Sequence, residues 1–234
     1  MSTYTLVHTT TSAYLGGVLA PNGDIHFVPD QASVGQKISA AGTVSTYTLV
    51  YTTTAVAVYA GGVLAPNGDI HFVPRRANVG QKISAAGVVS TYTLTYTTAV
   101  AYVGGVLAPN GDVHFIPFNA EVGQKIDIKG SVSTYSLAYT TTNSYWGGVL
   151  APNGDIHFIP YAASVGQKIN KNGIVTTYSL INTLLTGAYY GGVIAPNGDV
   201  QFVPGFSAVG QKITTLPAIP FEKTVCQSPW LNKL

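Results

Sequence analysis

Short runs of alternating apolar and polar residues fill this chain, and Pro, Asn and Gly cut them at regular intervals. Alternation over a few residues marks a half-buried strand, because successive side chains point to opposite faces. In "STYTLVY" (45–51), Tyr47, Leu49 and Tyr51 alternate with Thr46, Thr48 and Val50. In "DIHFVP" (24–29), Ile25 and Phe27 share one face and His26 and Val28 the other. Two more strands are predicted at "YAGGVLAP" (59–66) and around "VGQKI" (79–83). No segment carries an apolar stripe at helical period. Asn-Gly stands between the first two strands of each set. It predicts a hairpin with a type I′ turn, which needs positive φ at both central residues.

These four strands recur as a unit. The block "GGVLAPNGDIHFVP" at 16–29 returns unchanged at 61–74, with close variants beginning at 104, 147 and 191. The spacings are 45, 43, 43 and 44 residues. Four antiparallel strands at that period match the blade of a β-propeller. The expected fold is therefore all-β: a single five-bladed β-propeller over residues 1–213, followed by an atypical tail at 214–234. The opening "MSTYTLVH" matches "VSTYTLVY" at 44–51, the fourth strand of a unit, yet it precedes any first strand. The fifth unit stops after its third strand. The N-terminal strand is expected to complete the last blade and close the ring, which would remove two open edges. Apolar Phe221, Val225, Trp230 and Leu231 suggest that the tail packs back on the ring.

Composition narrows the partners. Only 9% of residues are charged and the formal net charge is +2, so no basic field speaks for nucleic acid. The single cysteine, Cys226, cannot form an intrachain disulfide, so packing must supply stability. No N-terminal segment reads as a signal peptide. No apolar run reaches the ~18 residues of a membrane-spanning helix. The chain is expected to be a monomer without membrane insertion.

The "PNG-D-I/V" segment resembles the strand–turn–strand core of several propeller families, including NHL-type and tachylectin-like repeats. The longer "GGVLAPNG-x-I" pattern is similar to highly repetitive propellers of bacteria and phages, a group with no settled activity. That resemblance covers about residues 1–213. It implies the propeller fold and a setting that includes phage particles, and it supplies no catalytic residues.

The repeated block invites two chemical readings. His26, His71, His114 and His157 could suggest a metal site, but they fall in separate blades and the fifth copy is Gln201, a poor ligand. They are expected to be half-buried and hydrogen-bonded between blades. Asp24, Asp69, Asp112, Asp155 and Asp199 could suggest paired catalytic carboxylates, but each follows a tight turn. Each is expected to close that turn or to pair with the repeated Lys37, Lys82, Lys125, Lys168 or Lys212. Fivefold copies also fail to give an acid and a base the different environments they need. The chain is therefore expected not to be an enzyme, and to hold no cofactor or metal.

The copies disagree at two places. The pair after each second strand varies: Asp30-Gln31, Arg75-Arg76, Phe118-Asn119, Tyr161-Ala162 and Gly205-Phe206. The run before each Gly pair also varies and ends in Leu15, Ala60, Val103, Trp146 or Tyr190. In an up-and-down blade these 2–3 and 4–1 connections share one rim. Diversified loops on a rigid scaffold are where binding usually resides, and aromatic and Arg side chains are its usual anchors. The expected ligand-binding residues are Arg75, Arg76, Phe118, Asn119, Trp146, Tyr161, Tyr190 and Phe206. The expected ligand is a glycan or a cell-surface receptor; the alternative is a spacer propeller without a ligand.

Overall fold

The structure, a computed structural model, describes residues 1–52, 57–183 and 186–215. The described residues form five antiparallel sheets and no helix. Blade 1 is β1 (Tyr14–Leu19), β2 (Ile25–Pro29), β3 (Val34–Ile38) and β4 (Val44–Thr48). Blade 2 is β5 (Tyr59–Leu64), β6 (Ile70–Pro74), β7 (Val79–Ile83) and β8 (Val89–Thr93). Blade 3 is β9 (Tyr102–Leu107), β10 (Val113–Pro117), β11 (Val122–Ile126) and β12 (Val132–Ser136). Blade 4 is β13 (Tyr145–Leu150), β14 (Ile156–Pro160), β15 (Val165–Ile169) and β16 (Val175–Ser179). Blade 5 has three strands, β17 (Tyr189–Ile194), β18 (Val200–Pro204) and β19 (Lys212–Ile213).

The hairpin turn differs from expectation. Gly23 donates its N–H to the Ala20 carbonyl at 2.9 Å, and Ala20 donates to Asp24 at 2.8 Å. Gly23 has φ +86°, whereas Asn22 does not have positive φ. This is a type I turn on Pro21-Asn22 with Gly23 in the left-handed region, not a type I′ turn on Asn-Gly. The proline decides it: its ring fixes φ near −65°, which suits the first central position of a type I turn.

Four of the five hydrophobic clusters lie between two successive blades. Val18, Val28 and Leu49 of blade 1 pack with Tyr59, Ile70, Phe72 and Ile83 of blade 2. The second glycine of each Gly pair makes this possible. A Cβ on Gly62 would meet Val18 Cγ2 at 2.8 Å and Val28 Cγ2 at 3.2 Å. The same holds at Gly105 against Val63 and Val73, at Gly148 against Val106 and Ile116, and at Gly192 against Val149 and Ile159. Two aliphatic knobs of one blade thus press on a bare backbone of the next. A buried glutamine clamps the same junction. Gln81 Oε1 accepts the N–H groups of Val50 and Tyr51 at 3.0 and 2.8 Å, fixing the end of the preceding blade's outer strand.

The ring is not seen to close. β1 packs on β5, β5 on β9, β9 on β13 and β13 on β17, whereas β17 makes no comparable contact with β1. Residues 1–6 form no strand, so the expected pairing of the N-terminal segment with the last blade is not present here. The end of the tail, with Cys226 and its apolar residues, lies outside the described residues.

Candidate functional site

The two rims of the blades are built differently. At the first rim, Asp24 ties two turns together. Its amide takes a hydrogen bond to Asn22 Oδ1 at 3.1 Å, and its carboxylate accepts the Ala40 N–H at 3.2 Å and Lys37 Nζ at 2.6 Å. The lysine's hydrogen bond holds the Asp24 carboxyl below its ordinary range, and Lys212 does the same for Asp199. All five carboxylates are paired in this way, as the spacing of Asp and Lys predicted. They are turn clasps, each with one lysine.

The histidines also serve the blade, though not as expected. His71 Nδ1 lies 3.4 Å from the Tyr92 hydroxyl, and the other three copies lie 3.2–3.4 Å from Tyr47, Tyr135 and Tyr178. Each partner belongs to the same blade, not to a neighbour. The tyrosine reaches across the third strand because that strand has glycine beneath it: a Cβ on Gly80 would run into the Tyr92 ring. This accounts for the glycine of "VGQKI". Burial pulls His71, His114 and His157 down to about 4, so they are neutral at pH 7. Among the described residues no three His, Cys, Asp or Glu side chains are grouped to hold a metal.

At the second rim the backbone is fixed while side chains change. In four of the five variable pairs the carbonyl of the first residue accepts an N–H from the next blade. Asp30 receives Val58 at 2.9 Å, Arg75 receives Ala101 at 2.7 Å, Phe118 receives Ser144 at 2.8 Å and Tyr161 receives Ala188 at 2.9 Å. These four bonds use backbone atoms only, so they form whatever the side chain. That is the physical licence for diversity at these positions.

Five of the eight expected site residues come together there. Trp146 stacks on Tyr161 with ring centres 5.1 Å apart and planes 24° apart. Phe118 meets both, at 5.5 and 5.4 Å. Tyr190 meets Trp146 edge-on at 5.5 Å and Tyr161 at 5.6 Å, and Phe206 extends the row at 6.0 Å. The row crosses blades 3, 4 and 5. It is buried at Phe118 and opens toward solvent, with Tyr190 40% and Phe206 72% exposed. Its floor is an apolar patch of Ala60, Val100 and Val103. Val100 sits there at φ +55°, a left-handed conformation that a β-branched residue adopts only under strain. Ser12, Asn143 and Gly187, one residue before the equivalent bonded position in their blades, share that conformation at lower cost.

The other three residues stand apart. Arg75 pairs with Asp30 across blades 1 and 2 at 3.8 Å. Burial raises the Asp30 carboxyl, and Arg75 opposes that rise. Asn119 is committed to backbone: its Nδ2 donates to the Ala99 carbonyl at 3.2 Å, and its Oδ1 accepts the Asn143 N–H at 2.8 Å. It shapes the loop and has little left for a ligand. Arg76 is exposed and lines a cleft of about 360 Å³ with Asn78, Thr97 and Thr98. One blade on, Glu121 and Thr140–Thr142 line a cleft of about 170 Å³. The Thr-rich runs carried the signal for both clefts, but attention to the last residue of each run missed them.

No protein-family profile and no curated sequence matches the chain. Solved structures do. Virginiamycin B lyase from Staphylococcus aureus superposes with a TM-score of 0.70 at 19% identity, over 90% of this chain and 72% of that one. An auxiliary nutrient binding protein from Bacteroides ovatus gives 0.62 at 15% identity, over 87% of this chain and 56% of that one. A putative gluconolactonase gives 0.59 at 13%, over 87% and 74%. These likenesses show a propeller-like fold. They also correct one expectation. The lyase is an enzyme on this fold, so repetition and a blade architecture are no ground for calling the chain a non-enzyme.

Proposed function

We propose that the variable rim of blades 3–5 is a recognition surface for a glycan, free or displayed on a cell-surface receptor. One observation carries this reading: Phe118, Trp146, Tyr161, Tyr190 and Phe206 are far apart in sequence, fall only at variable positions, and meet in one aromatic row. Aromatic faces stack on the C–H face of a sugar ring, and nearby polar groups select its hydroxyls. The exposed end, Tyr190 and Phe206, is the stacking platform. The cleft at Glu121 and Thr140–Thr142, next to Phe118 along the chain, supplies polar partners. A packing role for the buried end is favoured by Phe118, which belongs to the apolar patch beneath.

The test is a glycan array followed by titration of the best ligand against Tyr190→Ala and Phe206→Ala. Loss of either ring is expected to weaken binding at least tenfold, about 1.4 kcal/mol. Binding that is absent from the array, or unchanged in both variants, would sink the proposal.

A further inference from the structure

Blades 1 and 5 each turn to solvent a face that every other blade covers. On blade 5 the knob pair Val193 and Val203 is 55% and 44% exposed, whereas Val63 and Val73 of blade 2 are buried against Gly105. On blade 1 no aliphatic knob presses on Gly17 from a preceding blade, and Ile25 is 39% exposed against 1% for Ile70. Blade 5 has the knobs without a glycine to receive them. Blade 1 has the glycine without knobs.

The outer strand is divided in the same way. Val7 and His8 donate their N–H groups to Gln36 Oε1 at 2.9 and 2.8 Å. Val50 and Tyr51 bond Gln81 identically, so the N-terminal segment already occupies the place of an outer strand preceding blade 1. Residues 1–6 nevertheless pair with no strand, and Tyr4 is exposed. Among the described residues blade 5 has no outer strand. Nothing fills the space over Gly210, whereas a tyrosine covers Gly35, Gly80, Gly123 and Gly166. One chain does not bring these halves together, since β17 and β1 stay apart.

We propose that a second copy of this chain joins them, head to tail. The three strands of blade 5 in one copy pack on blade 1 of the next and take that copy's N-terminal strand as their fourth. The register follows from blade 1, where Val34 pairs with Thr48 and Gly35 with Tyr47. Val209 then faces the next copy's Thr5, and that copy's Tyr4 covers Gly210. Residues 216–234 contain three prolines and no glycine, while each internal junction needs a glycine where a Cβ would fall within 2.6–2.8 Å of a methyl or methylene carbon. The join also brings the next copy's exposed Leu15 to the open end of the aromatic row, and extends the variable rim.

The experiment mixes two chains, one with Thr5→Cys and one with Val209→Cys, both with Cys226→Ser. A disulfide between the two chains is expected on oxidation. Light scattering is expected to give at least twice the chain mass for the unaltered protein and the chain mass for Val203→Asp, whose site is already half exposed. Three results would overturn the proposal. One is a disulfide found only inside a doubly substituted chain at the chain mass, which means the ring closes on itself. Another is the unaltered protein at the chain mass with no disulfide in either case. The third is assembly that appears only after removal of 216–234, which means the tail covers the face.

Discussion

Residues 16–29 and 61–74 have one sequence and two environments. Both fold into the same hairpin, with the same turn, the same aspartate clasp and the same histidine–tyrosine contact. Yet Phe72 and Ile70 lie in a core between blades, while Phe27 and Ile25 face a side with no blade in front of them. Local chemistry built the hairpin twice. The neighbour alone decided what each residue is worth to stability.

Three measurements sharpen that contrast. The largest effect is expected from Phe72→Ala, which empties a closed site and should cost about 3–5 kcal/mol in urea unfolding. Measured in the Val203→Asp background, where no second copy covers blade 1, Phe27→Ala at a half-covered site should cost less than half as much. Equal costs would mean that blade 1 is covered in solution.

Acid is expected to come next. His71 falls from 6.5 to about 4 on folding because burial disfavours its charge. Below pH 6.5 the unfolded chain takes up a proton that the folded chain refuses until about pH 4, so stability is full above that window and falls through it. The loss is at most about 3 kcal/mol for each such histidine. His26, in the less covered blade, is lowered too, with less protein packed around it. His71→Gln should therefore flatten the pH slope more than His26→Gln, as read from unfolding midpoints at pH 4.5 and 7.5.

Glycine gives the smallest effect. Gly62→Ala pushes a methyl into Val18 and should cost roughly 1–3 kcal/mol. At Gly17 the nearest atom of the same chain is Ile25 Cγ2 at 3.4 Å, an ordinary contact, and Gly17→Ala in the Val203→Asp background should stay within about 0.5 kcal/mol. A large loss at Gly17 would show that something presses on it.

Much of this was legible in the residues. The repeat placed a third strand around Val79–Ile83, where the structure has it, and the repeated Asp was expected to close its turn or to pair with the repeated Lys, as the five clasps do. The turn type was misjudged because Asn-Gly was weighed without the proline before it. The histidine's partner was misjudged for another reason. Nothing in "DIHFVP" says that a glycine two residues before Lys82 opens a path for Tyr92 across a strand. The aromatic row was legible as a set of variable positions, but not as a contact. Arg75 and Asn119 look like equal members of that set, and only their partners, Asp30 and two backbone groups, remove them from it.

The sequence by itself determined the blade, because turn chemistry, strand alternation and clasping charges act within some forty residues. It also determined which rim varies, because the carbonyl–amide bonds between blades there form whatever the side chain. The tertiary structure decided the rest. Blade packing selects which of two identical faces is core, and the curvature of the stack decides whether Phe118 meets Trp146 and whether β17 meets β1. Those distances depend on how far each aliphatic knob sinks onto a glycine, which the order of residues does not state.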